Sequence, residues 1–172
     1  MRFLFFTVIS LVLTLSACGP TKEDAIKYSN SIVDSQQEAS KQIDSAFTAL
    51  NTYDTVLIAK TIKKAEAQIQ DSKTKIESLG DFHGDSLLSA PAQKYMTTLD
   101  NHLKNEFKSI YKLYCIPDSL YSEENRLESE KLSKTINSER KDALDKLIKA
   151  QLQFATKYEF SFENASDSLP KE

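Results

Sequence analysis

Four stretches of this chain place apolar residues at alternating steps of three and four, the spacing of one face of an α-helix, with little between them to break the pattern. The 172 residues hold three glycines and four prolines, too few for the turns that repeated β-hairpins need. Punctuation falls at 51–54, 80–89 and 115–122, which divides the chain into four long segments. In the first, Ile26, Ser29, Val33, Gln36, Ser40, Ile43, Phe47 and Leu50 fall on one stripe. In the second, Ile58, Ile62, Ala65, Ile69, Ser72, Ile76 and Leu79 repeat the pattern up to Gly80, a residue that readily takes the left-handed conformation ending helices. The third carries Ala92, Tyr95, Met96, Leu99, Leu103, Phe107, Ile110, Leu113 and Tyr114, with Pro91 near its start and Ile116-Pro117 beyond its end. The fourth begins after Ser122, whose hydroxyl can cap the first amides, and Glu123 and Glu124 suit the positive helix end. It continues through Leu127, Leu132, Ile136, Ala143, Leu144, Leu147, Ile148, Phe154 and Tyr158. Segments of about 25 residues rise roughly 38 Å, and short connections make neighbours antiparallel. The expected fold is therefore all-α, an antiparallel up-and-down four-helix bundle over residues 23–162, followed by a polar tail at 163–172.

The N-terminus has a different character. Arg2 is followed by an apolar run from Phe3 to Thr14 and by small residues at Ser16 and Ala17, the layout of a secretory signal. The run is shorter than the roughly 20 apolar residues a membrane-spanning helix needs. Leu15-Ser16-Ala17-Cys18 resembles the bacterial lipobox. That resemblance implies a cleaved lipoprotein signal peptide at 1–17, diacylglycerol on the Cys18 thiol, a fatty acyl chain such as palmitate on the freed amine, and a lipidated tether at 18–22. Two or more chains hold a protein on a bilayer where one alone is marginal. The plainer alternative is a secretory cut that leaves Cys18 as a free thiol. A lipidated Cys18 leaves Cys115 without a disulfide partner in the chain.

Cleavage also takes Arg2, so 22 basic residues against 25 acidic become 21 against 25, a mildly acidic balance that disfavours nucleic acid. The residues also lack the patterns that chemistry demands. Di-iron bundles need paired Glu-x-x-His motifs, and neither His83 nor His102 has the glutamate. Asp81, His83 and Asp85 in "DFHGD" offer three ligands from one loop, but Gly84 does not fit a calcium hand, and a polar turn is the reading adopted. His102, one turn before Glu106, reads as a surface hydrogen-bonding residue. Nucleophile elbows, phosphate loops and haem-attachment motifs are missing, and Cys115 has no adjacent histidine to activate it. No catalytic residue, metal ligand or cofactor is expected, and the chain reads as noncatalytic.

If the first helix leaves the membrane from Cys18, the topology gathers Tyr53, Tyr114 and Tyr121, with Cys115, at the membrane-distal tip. They are candidate partner contacts, because tyrosine combines a rigid apolar face with a polar end. The alternative is that they cap the core. Phe82, Phe160 and Phe162 fall at the opposite end as a plug or a lipid contact.

The lipobox, the long amphipathic helices, the "GDFHGDSLL" connection and the ending "AQLQFATKYEFSFE" together resemble helical-bundle surface lipoproteins of the Bacteroidota type, a family without an established activity to transfer. The resemblance implies an outer-membrane location. Lys22-Glu23-Asp24 looks like the lysine-plus-acid signal that sends such lipoproteins to the outer face, and equally like an acidic first helical turn. Asp-Ser or Asp-Thr triplets starting at Asp44, Asp54, Asp85, Asp118 and Asp167 match sites where similar bacteria attach sugars, though helix capping explains the same residues. The functional expectation is a lipid-anchored, surface-displayed envelope protein that binds a protein or glycan, with no nucleic-acid role. The second reading is a periplasm-facing carrier of a small ligand or metal, with Ser29, Gln36, Ser40 and Ser72 lining a polar gap.

Overall fold

A computed structural model of the chain describes residues 19–161; the lipobox with Cys18, Phe162 and the tail at 163–172 lie outside that range. Among the described residues the structure is all-helical, with no strand and one isolated bridge between Phe82 and Asp85. It comprises α1 (Lys22–Leu50), α2 (Thr55–Leu79), α3 (Ser89–His102), α4 (Lys108–Tyr114) and α5 (Glu123–Lys157). A π-helical segment, Leu103–Phe107, joins α3 to α4 in one continuous rod, so four long segments pack around one core. Among the described residues no helix is long and apolar enough to cross a membrane.

The helix ends follow local chemistry. The Thr21 hydroxyl accepts from the Asp24 amide, and Asp24 reaches back to the Thr21 amide, a reciprocal cap that satisfies two donors left unpaired at a helix start. Asp24 and the acidic first turn of α1 thus have a structural role of their own. Asp54 caps α2 by accepting from the Val56 and Leu57 amides at 2.9 and 3.0 Å. Gly80 ends α2 with φ of 62°. Ser122 caps α5 through the Asn125 amide, at the position the sequence marks.

The "DFHGD" connection is a tight reversal. His83 and Gly84 have φ of 51° and 83°, as the two central positions of a type I′ turn require, and Phe82 and Asp85 exchange two backbone hydrogen bonds across it. Its carboxylates are occupied. Asp81 accepts from the Ser89 hydroxyl, and Asp85 accepts from Lys157 Nζ at 2.8 Å, the Tyr158 hydroxyl at 2.9 Å and the Leu87 amide at 3.0 Å. The turn therefore fastens the end of α5 to the α2–α3 connection.

The same end holds the densest aromatic packing. Tyr28 lies 5.1 Å from Phe82 and 5.7 Å from Phe154, Phe82 lies 5.4 Å from Phe154, and Tyr158 and Phe160 close over them. The Tyr28 hydroxyl donates to the Gly80 carbonyl at 2.6 Å. Phe160 is part of the plug at this end. Glu159 takes φ of 57°, its amide bonds the Thr156 carbonyl, and the Phe160 amide reaches back to Ala155, a Schellman ending that folds the ring onto Phe154.

Two packing expectations need correction. On α1 the core line runs through Ala25, Tyr28, Ile32, Ala39, Ile43 and Ala46, while Ile26, Val33, Ser40 and Phe47 sit half-buried at its edge. Small alanines let α1 and α2 approach closely, so the larger residues move to the seam. Leu127 on α5 and Leu79 on α2, both expected in the core, are exposed, whereas the rest of the α2 stripe is buried as the spacing predicts.

Partial burial pushes the Asp85 pKa up, but Lys157, the Leu87 amide and the Tyr158 hydroxyl outweigh it and hold the carboxyl below its ordinary value. A carboxyl depressed in the folded state stabilises above its unfolded pKa of about 4, and that contribution disappears as pH falls through the lower folded value. Asp85→Asn should cost roughly 1–2 kcal/mol at neutral pH, discounted for the exposed Lys157, and the gap from the parent should close below about pH 4 in urea titrations. Glu159→Gly should raise stability by about 0.5–1 kcal/mol, because glycine takes the left-handed position without a Cβ penalty.

Candidate functional site

Two surface features stand out. The first is the end formed by the α1–α2 turn and the α4–α5 connection. Tyr53, in the turn with φ of 55°, stacks on Tyr114 at the end of α4 with ring centroids 5.0 Å apart. Burial first, then the nearby Tyr53 and Tyr121 phenols, push the Tyr114 pKa up, so all three tyrosines that the sequence groups at the tip are neighbours. Tyr53 is 69% exposed while Tyr114 and Tyr121 are half-buried. Of the seven large apolar side chains exposed among the described residues, Tyr53 and Leu120 lie in these connections, and Val56, Leu57 and Leu127 lie in the first turns of the helices that follow them, α2 and α5. Cys115 is free and exposed beside them.

The second feature is a cleft of about 780 Å³ where α5 passes α1 and the first turns of α2. Arg140 enters it from α5. Its side chain is 15% exposed, and Nη1 donates to Asp44 Oδ1 on α1 at 2.6 Å. Burial works against the guanidinium charge, but the Asp44 carboxylate and the Tyr95 hydroxyl beside it outweigh burial and raise its pKa. Tyr95, fully buried on α3, shares a 2.8 Å hydrogen bond with Ser40. Gln36 also lines the cleft; it is 7% exposed, and its amide has no hydrogen-bond partner among the described residues. The hydroxyls of Ser45, Thr48 and Thr61 donate to carbonyls of their own helices, and that of Thr52, in the turn after α1, donates to the Ala49 carbonyl. The lining donors left over are the amides of Gln36 and Gln37, the Lys41 ammonium and the remaining N–H groups of Arg140. Ala49, Leu57 and Leu144 give the cleft its apolar parts.

Of the four residues expected to line a polar gap, Gln36 and Ser40 do so. Ser72 is spent on the Ser35 carbonyl at 3.0 Å, and the buried Ser29 hydroxyl has no partner. Arg140, Asp44 and Tyr95 are the residues sequence reading missed. A signal existed for Arg140: it stands four residues after Ile136 and four before Leu144, a charge on the inward stripe of α5.

His102 is corrected from surface to core. It is 2% exposed, with Nδ1 3.0 Å from Glu106 Oε2, as the spacing anticipates, and an unpartnered Nε2 3.8 Å from Glu139 Oε2. Among the described residues no three His, Cys, Asp or Glu side chains cluster as metal ligands. Asp54 and Asp85 make capping and turn bonds, Asp44, in the interior of α1, pairs with Arg140 on α5, Asp118 opens a short 3-10 turn, and Asp167 lies outside the described residues.

Comparison with protein families, with curated proteins and with solved structures finds no match, so the roles of the tip and the cleft must be read from their own residues.

Proposed function

We propose that this chain is a noncatalytic, lipid-anchored binding protein of the cell envelope, held in the outer membrane through Cys18 and presenting its tyrosine-bearing tip to a protein or glycan on the cell exterior. The observation that carries the binding role is the concentration of exposed Tyr53, Val56, Leu57, Leu120 and Leu127 around the Tyr53–Tyr114 stack. Apolar side chains gathered at one end of a small domain, rimmed by charges such as the Glu123–Arg126–Glu130 cluster, mark interaction surfaces rather than random exposure. Tyrosine suits such a surface, because it contributes area at low entropic cost.

The helical part is read as an antiparallel up-and-down bundle. Pairings support this: residue numbers fall on one helix as they rise on the other for Tyr28 with Gly80 and Ser35 with Ser72, and again for Lys73 with Asp100 and Glu66 with Lys108. Across α1 and the third rod they rise together, from Ser40–Tyr95 through Phe47–Phe107 to Tyr53–Tyr114, as the diagonal of such a bundle requires. This topology sets the tip opposite the start of α1, and hence opposite a lipid on Cys18.

A second reading, a carrier of a small ligand within the bundle, is favoured by the cleft and by the unpartnered Gln36 that lines it.

Protease shaving of intact native cells should cut the chain while a periplasmic control survives, and a photo-crosslinker replacing Tyr53 should capture a partner that one replacing Leu152, near the far end of α5, does not. Protection until the outer membrane is opened removes surface display; equal capture from both positions removes the tip as the contact.

A further inference from the structure

We infer that the cleft between α1 and α5 is a binding site for a small aliphatic carboxylate, its carboxylate on Arg140 and its hydrocarbon against Ala49 and Leu57. This rests on the carrier reading and names the ligand class for it. Three observations converge. The lining hydroxyls are engaged as donors to main-chain carbonyls or in the Ser40–Tyr95 pair, so the donors left in the cleft are N–H groups, those of Arg140 and Lys41 charged, and these suit an anionic acceptor. The charged lining residues Lys41, Asp44 and Arg140 sum to one positive charge, in a chain whose formal net charge is −3. Gln36 is 7% exposed as a residue and makes no side-chain hydrogen bond among the described residues, yet its amide atoms are not sealed from solvent, so it opens into the cleft as a further free donor.

The guanidinium fixes the orientation. Asp44 engages one nitrogen of Arg140, and a planar fork of five N–H groups retains donors for a second carboxylate. Ala49 lies five residues beyond Asp44 on α1, roughly 7.5 Å along the axis at about 1.5 Å per residue, a span suited to a short alkyl chain. Leu57, at the start of α2, adds a second apolar lining residue for that chain.

The test is an NMR titration of the full chain in lipid nanodiscs, with labelled Gln and Arg side chains, using hexanoate and its neutral counterpart hexanamide, alongside native mass spectrometry of protein from its own host. Hexanoate should shift the Gln36 amide and Arg140 Nε–H resonances, hexanamide should not, and Arg140→Gln should weaken hexanoate by about tenfold or more. Since Arg140→Gln also frees Asp44 and can unsettle the fold, Thr48→Trp provides a second variant that fills the cleft from its exposed rim and should abolish the response. Equal response to hexanoate and hexanamide overturns the carboxylate and leaves the carrier reading standing. So does a retained small molecule in a protein that ignores hexanoate. No response to either probe, with nothing retained, overturns both.

Discussion

The base of the molecule depends on one aromatic contact set, the rings of Tyr28, Phe82, Phe154 and Tyr158. It joins α1, the α2–α3 reversal and the last turns of α5, three parts of the chain that are remote in sequence. Each ring removes a large apolar area from water, and the tilted and edge-on arrangements add to that gain. The polar ties lie around the same point: Tyr28 on the Gly80 carbonyl, and Asp85 on Lys157 and Tyr158. Halfway up the α1–α5 seam, by contrast, the tie is a single ion pair between Arg140 and Asp44. A seam fastened by rings at one end and by one ion pair in the middle leaves room for the cleft beside that pair.

How much of this was legible in the sequence depended on whether a local rule decided the outcome. Ser122, Gly80 and the α2 stripe were readable because a cap, a left-handed stop and a row of isoleucines each act within a turn or two. On α1 half of the expected stripe, Ser29, Gln36, Ile43 and Leu50, is buried, but Ala25, Tyr28, Ile32, Ala39 and Ala46 beside it carry the rest of the inner line, because small alanines there let a neighbouring helix approach. The π segment leaves a signature that a fixed period of 3.6 passes over. Leu99, Leu103 and Phe107 step by four twice in succession, which outruns a period of 3.6, and the wider Leu103–Phe107 segment brings those side chains back to the core. His102 stands three residues after Leu99 and seven after Tyr95, both fully buried, so ordinary α-helical spacing carries it inward. The tyrosine grouping at the tip was legible from topology alone, since loops at one end of a bundle must meet. The cleft was not legible, because it needs Arg140 and Asp44, 96 residues apart, to be seen as neighbours.

Arg140 also bears on what the cleft is for. Withdrawing the Arg140 guanidinium from water is costly, while its partner Asp44 stays 58% exposed, so the pair gains little for the desolvation it requires. An ion pair is thus a poor device for merely closing a seam, especially beside Ile136, Leu144 and Leu147, which could have been extended by one more apolar residue. Gln36, 7% exposed on α1, likewise brings an amide to the cleft where an apolar side chain could stand. Two polar side chains held where apolar ones would pack better, both facing the same cleft, fit a surface shaped by something it receives. The exposed apolar tip follows the same logic with the signs reversed: side chains that burial would reward are left in water. At both sites the fold departs from its own best packing, and those departures are where binding is to be sought.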